Sequence, residues 1–162
     1  MTATPVFLGF FTHILTIIFY KIFKRSSSIK DLDARVEIGL GGEKVCLRGF
    51  IDTGNSLKEP ISGGAAILAE LKKVEPILSQ RERDFFKGKG DLLAQDVKTR
   101  VIPFKSAGER AGMLSAFLPD KLAVKKGSDT IFLKGTYVAL IDMKLSEEYD
   151  ALISPDMIDH SF

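Results

Sequence analysis

The chain has 162 residues, 45% of them hydrophobic and 27% charged, with 14 Gly and 6 Pro; that describes one globular domain with a short extension and excludes disordered, collagenous and coiled-coil chains. Its 23 basic and 21 acidic residues leave a formal charge of +2, too even to mark the whole surface for a polyanion, so direct nucleic-acid binding is not expected. One cysteine, Cys46, and two histidines exclude an intrachain disulfide framework and supply too few ligands for a structural zinc site, so neither a metal nor a cofactor is expected.

The averages conceal an asymmetry at the N-terminus. Residues 1–20 contain no Asp, Glu, Lys or Arg, and VFLGFFTHILTIIFY is mostly large and apolar. As a helix, residues 3–23 cover about 30 Å, the thickness of a bilayer core. The positive charges Lys21, Lys24 and Arg25 follow the apolar run, whereas a cleavable signal begins with them. This order predicts a membrane anchor over residues 1–25, a single pass in the cell membrane with everything after it in the cytoplasm. A buried core helix or an interfacial helix is the plainer alternative. Residues 26–34, with Ser26, Ser27 and Ser28, read as a linker, and residues 35–162 as the soluble domain.

That domain opens with two alternating runs, 35–40 and 44–51, joined by Gly41-Gly42, a strong hairpin signal. Val45, Leu47, Gly49 and Ile51 share one face of the second run, and Cys46, on the other, reads as a small packing residue. Residues 65–69 fit either strand or helix, and 71–87 fit a helix that Pro76 starts or kinks. Short strands are predicted at 101–104, 112–117, 122–124, 130–133 and 138–141. Ser154-Pro155 then begins a terminal helix through Ile158. Turn residues recur about every ten positions, which predicts a mainly β domain closed into a small barrel, with one or two short helices.

The chemistry concentrates in GFIDTGNSL, residues 49–57. An apolar strand running into Asp52-Thr53-Gly54 sets a carboxylate at the strand end, a hydroxyl beside it and a glycine where backbone passes closely. That is the pattern of an aspartic protease. Two such carboxylates about 3 Å apart share one proton, so one acts as general base toward a water and the other as general acid toward the scissile carbonyl. Thr53 is expected to lock the loop by hydrogen bonding, and the Gly54 amide to hold the Asp52 carboxylate. The triplet alone arises by chance in roughly one chain in thirty of this length, and a turn that merely uses Asp, Gly and Asn is the plain alternative. No second Asp-Thr-Gly follows. One motif is complete only if two chains each lend an Asp52 across a two-fold axis, in an isologous homodimer.

The likeness extends past the triplet. FIDTGNSLKEPISG, then VIPFKSAGERAGMLSAFLPDKLAV, then YDALISPDMI together resemble the sporulation sigma-E factor-processing peptidase family, over residues 36–158. The resemblance implies a membrane-bound, retropepsin-like aspartic protease that dimerises and removes the pro-sequence of an inactive sigma factor. It implies Asp52 as the catalytic aspartate, Thr53 and Gly54 as the rest of the catalytic loop, and Asn55 as a variation on a small residue. Ala151-Leu152-Ile153-Ser154 resembles the segment that supports that loop, with Ser154 in place of a glycine. Family members carry several membrane helices ahead of the protease and this sequence holds at most one span, so the anchor is partial. The implied partners are a pro-sigma factor, a second copy of the chain, the lipid bilayer and an activating protein.

Residues 105–112, between two predicted strands, read as either a flap over substrate or an ordinary hairpin loop, with Ser106, Gly108 and Gly112 as its candidate residues. Arg100 is expected to form a surface ion pair, with contact to a substrate carboxylate as the alternative. Two rivals share the sequence: a retropepsin-like protease with another substrate, and a membrane-tethered binding module that kept the barrel without catalysis.

Overall fold

A computed structural model describes residues 32–89, 99–104 and 112–159. The expected anchor over residues 1–25 and most of the 26–34 linker lie outside them. Among the described residues no helix is long and apolar enough to cross a membrane.

The domain is mainly β, as expected, and its described residues form nine strands: β1 (Asp33–Leu40), β2 (Glu43–Ile51), β3 (Ile67–Glu70), β4 (Thr99–Phe104), β5 (Gly112–Phe117), β6 (Lys121–Lys126), β7 (Asp129–Phe132), β8 (Val138–Ile141) and β9 (Ala151–Ile153). They form one sheet in the order β4-β5-β8-β3-β9-β2-β1-β6-β7. The expected closed barrel is not formed. Closure requires the two end strands to pair in a fixed stagger; here β4 and β7 stand at opposite ends of the sheet, and the sheet is open.

The β1–β2 hairpin forms where the sequence places it. Leu40 pairs with Glu43, and Gly41 and Gly42 take φ of 60° and 89°, the left-handed pair that a two-residue turn matching the strand twist demands. Period-two alternation then drives Val36 and Ile38 of β1 and Leu47 and Ile51 of β2 into the core. Gly49 lies on this inner face because there is no room for more: a methyl group there would stand 2.8 Å from Ile153 Cδ1 and 3.0 Å from Val36 Cγ2. Cys46 is exposed on the outer face, which corrects its reading as a packing residue; that face of β2 meets solvent at this point.

The expected helix over 71–87 is broken into α1 (Leu71–Val74), a 3-10 turn (Glu75–Ile77) and α2 (Gln80–Phe86). Pro76 enters the 3-10 turn, Leu78 is extended, and Ser79 restarts the helix with a reciprocal cap in which its hydroxyl accepts from the Glu82 amide while Glu82 accepts from the Ser79 amide. Residues 65–69, ambiguous in sequence, supply most of strand β3. Helix α3 (Asp156–Asp159) closes the described chain.

Candidate active site

Asp52 sits one residue beyond the end of β2. Strand β9 runs parallel to β2, pairing Gly49 with Ala151, Phe50 with Leu152 and Ile51 with Ile153. The Asp52 amide then donates to the Ile153 carbonyl at 2.9 Å, so the loop that follows starts from a fixed point. The chain turns at once: the Asn55 amide donates to the Asp52 carbonyl at 3.1 Å, and the Gly54 amide donates to Asp52 Oδ1 at 2.8 Å. A Cβ on Gly54 would stand 3.2 Å from that same oxygen, so a side chain there would crowd the carboxylate it is meant to hold. Asp52 is half-buried, with one oxygen fixed by backbone.

The side chain that ties this loop down is Asn55. Its Nδ2 donates to the Leu152 carbonyl at 3.2 Å, and its Oδ1 accepts from the Leu57 amide at 3.2 Å, which joins β9, the loop and the entrance to the next segment. Thr53 is exposed and makes no hydrogen bond among the described residues, so the lock expected of Thr53 within one chain is supplied by Asn55. Ala151, Ile153 and Ser154 are buried, and Ser154 is accommodated where a glycine was expected.

Beneath β9 lies Asp150, which sequence reasoning passed over. Its carboxylate accepts from the Arg48 amide at 3.0 Å, from Arg48 Nε and Nη2 at 3.1 Å each, and pairs with Lys73 Nζ at 3.1 Å. The Arg48 guanidinium, foremost, and the other donors hold its carboxyl down at about 2, against the desolvation that pushes it up. Its backbone is bonded on both sides as well: the Asp150 amide donates to the Arg48 carbonyl, and the Glu70 amide donates to the Asp150 carbonyl. Asp150 therefore wedges the start of β9 between β2 and β3. The available signal was an aspartate set directly against the apolar Ala151-Leu152-Ile153 run.

Strands β4 and β5 form a hairpin with Phe104 opposite Gly112. Gly112 closes the described part of it, and a Cβ there would run into the Phe104 ring. Ser106 and Gly108 lie outside the described residues. The inner face of the hairpin, Ile102, Leu114 and Ala116, packs with Leu57, Ala66, Tyr137 and Ala139, so the segment leaving the Asp52 loop and the hairpin rest on one core. Arg100 of β4 pairs with the buried Glu59 at 3.7 Å and lies 5.8 Å from the centre of the Tyr137 ring. The Ser62 amide, 2.6 Å from Glu59 Oε2, is the main reason the Glu59 carboxyl is held below the usual carboxylate range.

Among the described residues no group of three or more His, Cys, Asp or Glu side chains converges as a metal site, and no second carboxylate is hydrogen-bonded to Asp52. What the loop offers is a single oriented carboxylate at a strand end, with one oxygen held by an amide.

The family profile for sporulation factor SpoIIGA matches residues 2–157. The chain is 27% identical over 134 residues to the sporulation sigma-E factor-processing peptidase of Bacillus subtilis (strain 168), an alignment covering 76% of this chain and 43% of that protein. It is 32% identical over 121 residues to a Clostridium acetobutylicum protein whose name proposes the same activity, covering 74% of this chain and 40% of that one. A Bacillus thuringiensis subsp. kurstaki protein, whose name proposes sporulation sigma factor processing, is 26% identical over 137 residues, covering 79% and 85%. The chain thus spans less than half the length of the first two relatives. No solved structure matches the chain.

Proposed function

The chain belongs to the sporulation factor SpoIIGA family, and from that membership we propose that its β domain is an aspartic endopeptidase which, as a homodimer, removes the pro-sequence from an inactive sporulation sigma factor. The observation that carries the catalytic type is the Asp52 loop, a carboxylate at the end of β2 with Oδ1 held by the Gly54 amide at 2.8 Å. Two copies of this loop facing across a two-fold axis bring two Asp52 carboxyls together, and like charges that close retain one proton between them. The ionised Asp52 takes a proton from the attacking water while the protonated one hydrogen-bonds to the scissile carbonyl; the roles exchange as the amine leaves. Gly54 holds one oxygen of each carboxyl, and Asn55 ties the loop that carries it to β9. The segment 105–112 that joins β4 to β5, with Ser106, Gly108 and Gly112 as its candidate residues, is in this reading the flap that closes over the substrate and excludes water.

The apolar N-terminal run tethers the enzyme to the cell membrane in a single pass, with the β domain in the cytoplasm where a sigma factor is found. Tethering raises the local concentration of protomers and so favours pairing, and an activating protein partner is a natural point of control. The decisive experiment is co-expression of the full chain with a sigma factor carrying its pro-sequence. A shortened sigma factor is expected with the wild-type chain and none with Asp52→Ala, while circular dichroism shows the variant folded. Continued processing by a folded Asp52→Ala protein overturns the aspartic mechanism.

A further inference from the structure

The outer face of the sheet, opposite the core, carries an arrangement the peptidase reading does not use. Arg35 of β1 lies directly opposite Arg48 of β2 on one side and directly opposite Lys125 of β6 on the other. Directly opposed residues project from the same face, so three cations stand in one row across three strands, where like charges are unfavourable. Nearby carboxylates meet the two ends of the row and leave its centre unpaired. Arg48 shares Asp150 with Lys73, and Lys125 shares Glu37 with Lys121; four cations thus divide two carboxylates, and Arg35 makes no ion pair among the described residues.

The row also has a cavity over it. A cleft of about 550 Å³ is lined by Arg35, Arg48 and Lys125 together with the backbone of Gly49 and Gly127. Tyr149 forms a wall, its ring against Phe50 at 4.7 Å between centroids and its hydroxyl donating to Asp33 Oδ1 at 2.9 Å; Asp33 and Glu148 are the two acids in the lining. Arg48 spends Nε and Nη2 on Asp150 and Nη1 on the Glu147 carbonyl, so the free fork at the cleft is that of Arg35, flanked by the charges of Arg48 and Lys125; a phosphate group, which carries more charge and more acceptor oxygens than a carboxylate, suits such a row.

We propose that this cleft binds a phosphate-bearing anion across the Arg48–Arg35–Lys125 row. Lipid headgroup and free phosphate share that chemistry, and two arms of one experiment separate them. In the first, thermal unfolding of the full chain in detergent is followed with inorganic phosphate against sodium chloride of equal ionic strength. Phosphate is expected to raise the melting temperature of wild type by several degrees more than that of Arg35→Gln; the comparison between proteins cancels any general salt effect. In the second, the chain is placed in nanodiscs of phosphatidylcholine with or without phosphatidylglycerol, and maleimide labelling of Cys46, exposed on the same face two residues from Arg48, is timed. Several-fold slower labelling with phosphatidylglycerol, absent in Arg35→Gln, assigns the site to a lipid headgroup. A response in either arm that depends on Arg35 supports the site and names its source. Identical behaviour of wild type and Arg35→Gln in both arms overturns it, while sigma-factor processing, measured separately, is free to persist.

Discussion

Replacing Asp150 by Asn removes one negative charge from under the candidate site while keeping the side chain's shape. The carboxylate is 8% exposed and faces Arg48 and Lys73, which are 57% and 46% exposed and recover water readily when their partner is lost. The measurable loss is therefore the preferential stabilisation of the charged Asp150 itself. Its carboxyl falls from the usual 3.8 to about 2, chiefly through the Arg48 hydrogen bonds; at ~1.36 kcal/mol per pKa unit, the charged form contributes about 2 to 3 kcal/mol at pH 7. Because the folded pKa is the lower one, this contribution is complete above the unfolded value and is lost as pH falls toward 2, with about half remaining at pH 3. Urea unfolding of wild-type and Asp150→Asn full-length protein at pH 7 and pH 3 tests both the size and the sign. A stability gap of about 2 to 3 kcal/mol at pH 7 that shrinks to roughly half at pH 3 is expected. A gap equal at the two pH values would refute an electrostatic origin.

Asn55→Ala removes the bonds to Leu152 and Leu57, so a loss of about 1 to 2 kcal/mol in urea unfolding is expected, accompanied by a larger relative fall in sigma-factor processing than that stability loss alone accounts for. Gly49→Ala places a methyl group 2.8 Å from Ile153; overpacking of about 1 to 3 kcal/mol is expected, and a variant as stable as wild type would show that β9 yields easily.

The hairpin of β1 and β2 was legible in the sequence because its determinants are local: alternation, two glycines in the turn, and an apolar face that only one register buries. The Asp52 loop was legible for the same reason, since its defining hydrogen bond spans two residues. Sheet closure was not, because it depends on which strands end up at the edges, and the parallel pairings of β2 with β9 and β3 with β8 join segments separated by long stretches of chain. Asp150 was missed on similar grounds, as its partner Arg48 lies 102 residues away. The broken helix after β3 shows a local signal underweighted: Pro76, Ser79 and Glu82 together mark a stop and a restart.

One consequence of the proposed dimer separates it from any mechanism complete within a single chain. If the catalytic unit needs an Asp52 from each of two copies, co-expressing wild-type and Asp52→Asn chains in equal amounts yields random pairs of which about one quarter carry two aspartates. Processing should then fall to about a quarter of that given by wild type alone at the same total chain level, since a mixed pair has lost the shared proton on which the division into acid and base rests. A chain catalytic by itself would retain about half. The substitution leaves the backbone bonds of the loop in place: the Gly54 amide still finds an oxygen at position 52, and the Asp52 amide's bond to Ile153 is independent of the side chain. Mixed pairs should therefore assemble as well as the parents, a condition checked by pulling down tagged variant and blotting for untagged wild type. With mixed pairs present and processing at one half, the shared active site is refuted.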